Sequence, residues 1–174
     1  MSEEQTIDTN QYLTFTLDKE IFALDIGTIR EVLEMTAITR IPRTPEYMCG
    51  VINLRGHAVP VVDMRLKLNM SKGEVTVDTC IIIVEVAFDG DTTIMGAMVD
   101  SVREVSEMPP DTIEPAPKMG AAVDSKFIRG MGRQGDDFVI ILDVNRIFSA
   151  EELAMVKDMA GDAPKKDKEA AEAL

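Results

Sequence analysis

Gly50-Val51-Ile52-Asn53-Leu54-Arg55-Gly56-His57-Ala58-Val59-Pro60-Val61-Val62-Asp63 decides the fold, because it occurs a second time in altered form. The other version is Gly130-Met131-Gly132-Arg133-Gln134-Gly135-Asp136-Asp137-Phe138-Val139-Ile140-Ile141-Leu142-Asp143. Each copy runs from a glycine through a turn to an apolar strand that ends in aspartate. Each is preceded by an Arg-Glu-Val step, Ile29-Arg30-Glu31-Val32 in the first and Val102-Arg103-Glu104-Val105 in the second. Self-similarity on this scale indicates a fold built from two like units. The copies part at the turn, where Arg55-Gly56 stands against Gly135-Asp136, and that asymmetry points to where function was added.

On either side of the repeat the pattern is mostly that of strands. Residues 12–17 mix alternation with aromatic and β-branched side chains, Asp18-Lys19-Glu20 supplies a polar turn, and residues 21–26 read as the partner strand. A short helical turn at Gly27-Thr28 then returns to extended chain. Pro42 and Pro45 bracket an irregular passage, since each fixes φ. Two strands, 48–54 and 57–63, meet at Arg55-Gly56, where glycine supplies the positive φ of a hairpin turn. A polar loop over 67–78 closes the first unit. The second opens at Thr79 with a buried strand over 81–86, a turn at Asp89-Gly90-Asp91 and a partner strand over 93–99. A proline-rich insertion from Pro109 to Ala122 separates these from the second repeat.

Ser149-Ala150-Glu151-Glu152 then forms a capping-box signature before Leu153, Val156 and Met159, which predicts an amphipathic helix over 149–160. The expected fold is therefore mostly all-β, with two five-stranded SH3-like barrels side by side and a C-terminal helix. The expected boundaries are one domain over 11–159, with a first unit of about 22–78 and a second of about 79–148. The strand 11–17 and the helix 149–160 pack on these units, and 1–10 and 161–174 form flexible termini.

Composition narrows the function. The 174 residues carry 45% hydrophobic and 28% charged side chains, ordinary for a globular protein with a sizeable core. Thirty-one acidic against 18 basic residues give a net charge of -13, which opposes nucleic-acid and anionic-membrane binding and favours a protein partner. No apolar run approaches the roughly 20 residues of a membrane helix, and the acidic start Met1-Ser2-Glu3-Glu4 lacks the character of a signal peptide. A cytoplasmic protein without membrane insertion is expected.

Catalytic chemistry has little to work with. The lone histidine, His57, and Cys49 could be drawn as a nucleophile pair across the hairpin. A buried cysteine acting as a small hydrophobe and a solvated turn histidine explain the same residues more simply. The Asp-Gly clusters lack the ligand spacing of a calcium loop, Cys49 and Cys80 lack zinc spacing, and no phosphate-binding glycine loop occurs. No cofactor or metal is implied. Twelve methionines fill core gaps, with some available for adaptable contacts. Arg55 is not needed by the turn, and a pair with Glu31 would fix it as a rigid surface feature.

Gly50-Val51-Ile52-Asn53-Leu54-Arg55-Gly56 followed by Val59-Pro60-Val61-Val62-Asp63-Met64-Arg65 closely resembles the hallmark of the CheW coupling proteins of bacterial chemotaxis. The resemblance continues through Phe15-Thr16-Leu17, Asp25-Ile26, Ile29-Arg30-Glu31-Val32, Ile41-Pro42, Val99-Asp100-Ser101-Val102, Ile113-Glu114-Pro115-Ala116-Pro117, Ile128-Arg129-Gly130-Met131-Gly132 and Ser149-Ala150-Glu151-Glu152. It implies a non-enzymatic adaptor of two SH3-like barrels that joins the histidine kinase CheA to the cytoplasmic tips of chemoreceptors, the methyl-accepting chemotaxis proteins, and that is recruited to membrane receptor arrays. CheA's regulatory domain shares this fold, so kinase and adaptor are expected to pair through like barrels. Carried over residue by residue, the implied receptor contacts are Ile29, Glu31, Val32, Arg55, Val99 and Val102, and the implied kinase contacts are Ile38, Ile41 and Met48. The alternatives are a coupling protein serving pili or gliding, a piece of a CheV protein or of the kinase itself, and a small Cys/His enzyme. A CheV would continue into a receiver domain, for which these residues supply no phosphoacceptor pocket.

Overall fold

The computed structural model describes residues 10–88, 90–115 and 125–148. Ten strands follow in order: β1 Gln11–Leu17, β2 Glu20–Asp25, β3 Ile29–Glu34, β4 Met48–Leu54, β5 His57–Asp63, β6 Cys80–Phe88, β7 Asp91–Val99, β8 Ser101–Glu107, β9 Ile128–Gln134 and β10 Asp137–Leu142. Two four-residue helices, α1 Met64–Lys67 and α2 Val144–Ile147, follow the two repeat strands, and a 3-10 turn over Ile26–Thr28 leads into β3. The helix expected over 149–160, both termini apart from Asn10, and the second half of the proline-rich insertion, from residue 116 on, lie outside the described residues.

The strands form two five-stranded sheets, in the orders β8-β1-β2-β10-β9 and β3-β6-β7-β5-β4. The mostly β, two-sheet architecture agrees with the expectation. Each sheet curls toward an SH3-like barrel without closing through its edge strands. In its place, the chain just after each first edge strand reaches the opposite edge through a single bridge, Thr39 to Val51 in one sheet and Glu114 to Met131 in the other. Gly50 explains the first approach, because a Cβ there would lie 2.1 Å from the Thr39 carbonyl oxygen. At Gly130 it would lie 2.6 Å from Ile113 Cγ2. The repeat's leading glycine thus marks where each barrel folds over itself.

The expected division at 78/79 is corrected by the sheet order. β6 and β7 join the first repeat, through the antiparallel β3–β6 pair and the parallel β5–β7 pair. The second repeat takes the N-terminal hairpin, through the β1–β8 and parallel β2–β10 pairs. One sheet is therefore continuous over 29–99, and the other is assembled from both sides of it. The strand pattern at 12–26 so resembles that at 80–99 that periodicity alone could not say which hairpin belongs to which repeat. The parallel contacts decide it, and they are not local.

The core has three parts. Ile52, Val59, Val61, Ile81 and Ile83 fill one sheet's interior, and Tyr12, Ala23, Met108, Val139 and Ile141 fill the other's. Between the sheets lies a larger shared core that includes Phe15, Leu17, Phe22, Leu24, Ile82, Val84, Met95 and Val99. β6 serves two of these at once, with Ile81 and Ile83 facing inward and Ile82 and Val84 facing the other sheet. Burial on both faces accounts for its unbroken apolar run. Each such side chain contributes roughly 2 kcal/mol when fully withdrawn from water.

The aspartates that end the repeats act as helix caps. Asp63 Oδ1 accepts from the Arg65 and Leu66 N–H groups at 3.0 and 3.4 Å, and Asp143 Oδ1 accepts from Asn145 N–H at 3.0 Å. Each satisfies donors that a helix start leaves without partners.

Candidate protein-docking site

The Arg55-Gly56 turn has φ of +54° and +87°, the two positive values of a type I′ hairpin. Gly56 donates its N–H to Asn53 Oδ1 at 2.7 Å, which closes the turn. Arg55 thus holds a left-handed conformation that glycine or asparagine adopts at less cost. Its side chain shows what is gained. Nη1 donates to Glu31 Oε2 at 2.7 Å and Nη2 to Glu31 Oε1 at 2.8 Å, a two-pronged pair that ties the turn to β3. The Arg55 hydrogen bonds hold the Glu31 carboxyl below the usual carboxylate range and raise the Arg55 guanidinium correspondingly. The Arg55 side chain remains 70% exposed, so the pair presents a fixed guanidinium to the surface.

β3 is an edge strand with a bulge. Ile29 stands opposite Val84, Glu31 opposite Ile83 and Val32 opposite Ile82, which leaves Arg30 as the extra residue. The bulge brings Ile29 and Val32, three apart in sequence, onto the face they share with Val84 and Ile82. Ile29 packs partly on the shared core, while Val32 is 40% exposed. Val102, on the edge strand of the other sheet, packs on the same core. Val99 is only 1% exposed. Its side chain supports the surface from beneath and is not available for contact.

Of the residues expected at the kinase contact, Ile38 and Met48 line one cleft of about 200 Å³ together with Met35, Cys49, Leu66, Val75 and Met98. Arg40, Glu46 and Lys72 form its charged margin. Met48 is buried in the shared core. Ile41 is half-buried outside the cleft lining, and its carbonyl accepts from the Thr44 hydroxyl at 2.8 Å.

The Cys49/His57 pairing does not form. Cys49 is the extra residue of a bulge between Met48 and Gly50, whereas His57 is exposed at the far end of the hairpin, opposite Leu54. Five strand steps separate Cys49 from Leu54, roughly 17 Å. Burial pushes the Cys49 thiol up to about 11, so it stays protonated near neutral pH. Among the described residues, no three His, Cys, Asp or Glu side chains converge as a metal site, and no helix is long and apolar enough to cross a membrane.

Two arrangements escaped the sequence. Arg65 Nε donates to both Asp100 carboxylate oxygens at 3.0 Å, and its Nη2 also binds Asp100 Oδ2. Asp18 N–H reaches the same carboxylate at 2.7 Å. One carboxylate thus joins the β1–β2 turn to the chain after β5. The signal was available, since Arg65 closes the quoted motif, but its partners lie far off in sequence. Similarly, Lys67 Nζ stands 4.7 Å from the Tyr47 ring centroid, 5.5 Å from Phe127 and 5.8 Å from Phe148, a cation shared among rings from both repeats.

Known proteins are similar to this chain in sequence and in fold. The Chemotaxis protein CheW of Klebsiella aerogenes is 31% identical over 150 residues, covering 86% of this chain and 88% of that protein. The Chemotaxis protein CheW of Bacillus subtilis is 31% identical over 140 residues, covering 80% and 86%. The crystal structure of the scaffolding protein TtCheW from Thermoanaerobacter tengcongensis superposes with a TM-score of 0.75 at 34% identity, covering 84% of this chain and 93% of that one. The CheW-like domain family profile matches residues 11–152. With the family profile matched over residues 11–152 and relatives more than 30% identical over most of its length, the chain belongs to the CheW-like domain family.

Proposed function

We propose that this protein couples chemoreceptors to the histidine kinase CheA, holding a receptor tip at the surface formed by Ile29, Glu31, Val32, Arg55 and Val102. Val99 supports that surface from below. As a family member the chain is a scaffold and not an enzyme. The observation that carries the coupling reading is the Arg55–Glu31 pair: a residue kept in an unfavourable turn conformation, fixed by two hydrogen bonds, yet with its charge directed to solvent. A helical receptor tip suits an apolar strip with a charged margin. The cleft at Ile38 and Met48, with Ile41 nearby, is the proposed kinase-facing surface. The protein works in the cytoplasm and is recruited to receptor arrays through these contacts.

The test is reconstitution with CheA and a receptor fragment. Kinase activity is expected to become receptor-controlled only when this chain is added. Arg55→Glu places two carboxylates together at the turn and is expected to weaken receptor binding by tenfold or more while the protein still melts cooperatively. Unchanged receptor binding by that variant would make Arg55 an ordinary turn residue and defeat the reading.

A further inference from the structure

Three consecutive residues of α1 have three different sets of neighbours. Arg65 donates to the carboxylate of Asp100, the single residue between β7 and β8, where the chain passes from one sheet to the other. That carboxylate also accepts from Asp18 N–H at 2.7 Å, and Asp100 N–H donates to the Thr16 carbonyl at 3.1 Å. Arg65 is thereby fastened to the β1–β2 hairpin of the opposite barrel. Leu66 lines the cleft with Ile38 and Met48. Lys67 holds its ammonium among Tyr47 of its own barrel and Phe127 and Phe148 of the other. The Arg65 and Asp100 side chains are only 18% and 27% exposed, so solvent and salt screen this pair less than a surface bridge.

Comparison with the second repeat isolates what is peculiar to α1. Asp63 and Asp143, which cap the two helices, each donate their N–H to the carbonyl of an aromatic residue, Tyr47 at 2.7 Å and Phe127 at 3.0 Å. Tyr47 and Phe127 directly precede β4 and β9 and are therefore counterparts. Counted from the capping aspartates, so are Arg65 and Asn145, and Lys67 and Ile147. α2 also reaches across, its Asn145 Oδ1 accepting from Ala87 N–H of β6 at 2.9 Å. The second repeat thus crosses the joint with a neutral hydrogen bond and a buried isoleucine, and the first crosses it with two cations. Packing needs no charge there, since Ile147 fills the matching position at 1% exposure. Charge attraction falls off gradually with separation, whereas dispersion is forfeited by a gap of less than 1 Å. The α1 side of the joint therefore stays fastened through small changes in the angle between the barrels.

We infer that α1 links the proposed receptor surface to the proposed kinase-facing cleft: Arg65 and Lys67 grip the opposite barrel, and the angle they hold sets where Leu66 stands in the cleft wall. The inference rests on the receptor and kinase reading above and gives its two surfaces a means of communication. The receptor surface draws Ile29 and Val32 from one sheet and Val102 from the other, so its shape depends on the angle between them. A bound tip favours the angle it fits, and α1 carries that preference to the cleft. The same linkage runs in reverse, from cleft to receptor surface, with equal strength. Arg65 and Lys67 act as positioning residues, since neither belongs to either surface.

The test uses the full chain, a soluble cytoplasmic hairpin fragment of a chemoreceptor and the CheA regulatory domain, titrated singly and together by calorimetry. In the parent, receptor affinity is expected to differ at least about fivefold with and without the regulatory domain, and kinase affinity by the same factor with and without the fragment. Lys67→Met keeps a long side chain without its charge. It is expected to bind each partner alone within about twofold of the parent while the coupling factor drops below about twofold, and Lys67→Arg is expected to retain the coupling. A second readout needs no variant: the regulatory domain should slow hydrogen exchange of the Asp18 amide, across the clamp from the cleft, by about threefold or more. Two partners bound without coupling, coupling undiminished in Lys67→Met, coupling lost equally in Lys67→Arg, or an Asp18 amide that does not respond would each overturn the inference and leave the docking reading standing. A parent that binds neither partner would remove that reading and the inference with it.

Discussion

The two repeats reach the same hairpin by different routes. In the first, Arg55 and Gly56 both adopt positive φ, and the arginine side chain returns to Glu31. In the second, only Gly135 has positive φ, at +66°, as a type II′ connection requires, and the residue before it, Gln134, reaches Glu104. Both copies fasten the turn to the Arg-Glu-Val strand. One fastens it with an exposed ion pair on a strained backbone, the other with a neutral amide on a relaxed one. Folding needs only the fastening, so the charge and the strain in the first copy are what the proposed docking role draws on.

The sharpest way to break the likeness is at the leading glycines. Gly50 has φ of +143° and would press a Cβ to 2.1 Å from the Thr39 carbonyl oxygen, while Gly130 lacks a positive φ and would meet Ile113 Cγ2 at 2.6 Å and the Glu114 carbonyl oxygen at a milder 3.0 Å. Gly50→Ala is expected to cost about 3–4 kcal/mol and Gly130→Ala about 1–2, measured by urea unfolding. Equal costs would mean that the two barrels close with equal tightness.

The aspartate caps come next. Asp63→Ala and Asp143→Ala should each cost about 1 kcal/mol in the same assay. Asp63→Asn should cost less, because asparagine also caps and because burial, the dominant influence, raises the Asp63 carboxyl's pKa. A raised carboxyl favours the fold while protonated and loses that advantage as pH rises through its folded value. The Asn variant should therefore show a flatter stability profile from acid to neutral pH. A profile as steep as that of the parent would remove Asp63 as the source.

The smallest effect on stability belongs to Arg55→Gly. The first turn would then resemble the second in backbone freedom, so melting is expected to stay level or rise by about 3 °C while receptor binding falls. Acid gives a parallel test. The lowered Glu31 carboxyl contributes through neutral pH and loses its contribution only as pH falls below the ordinary glutamate range, near about 4.3. The parent's receptor binding should decline there, and that of Arg55→Gly should not follow the same course.

Much of this was legible. The strand positions, the turn at Arg55-Gly56 and the Glu31 pairing follow from apolar alternation and from an arginine with no local purpose. Sheet membership was not, because β1–β2 and β6–β7 carry similar patterns and only long-range parallel pairing assigns them. Val99 looked available beside Val102 on sequence, but the end of β7 lies inside the shared core.

The exchanged hairpins also order the birth of the molecule. The sheet over 29–99 is complete once its own residues have left the ribosome, whereas β2 must wait for β10, more than one hundred residues later, before its parallel edge is covered. During synthesis the N-terminal hairpin is a strand pair with an open edge, and closing so long a loop is slow. The contiguous sheet can serve as the template against which the first and last strands meet. A chain interrupted after β7 would keep one barrel's strands and strand the other's opening hairpin without a partner.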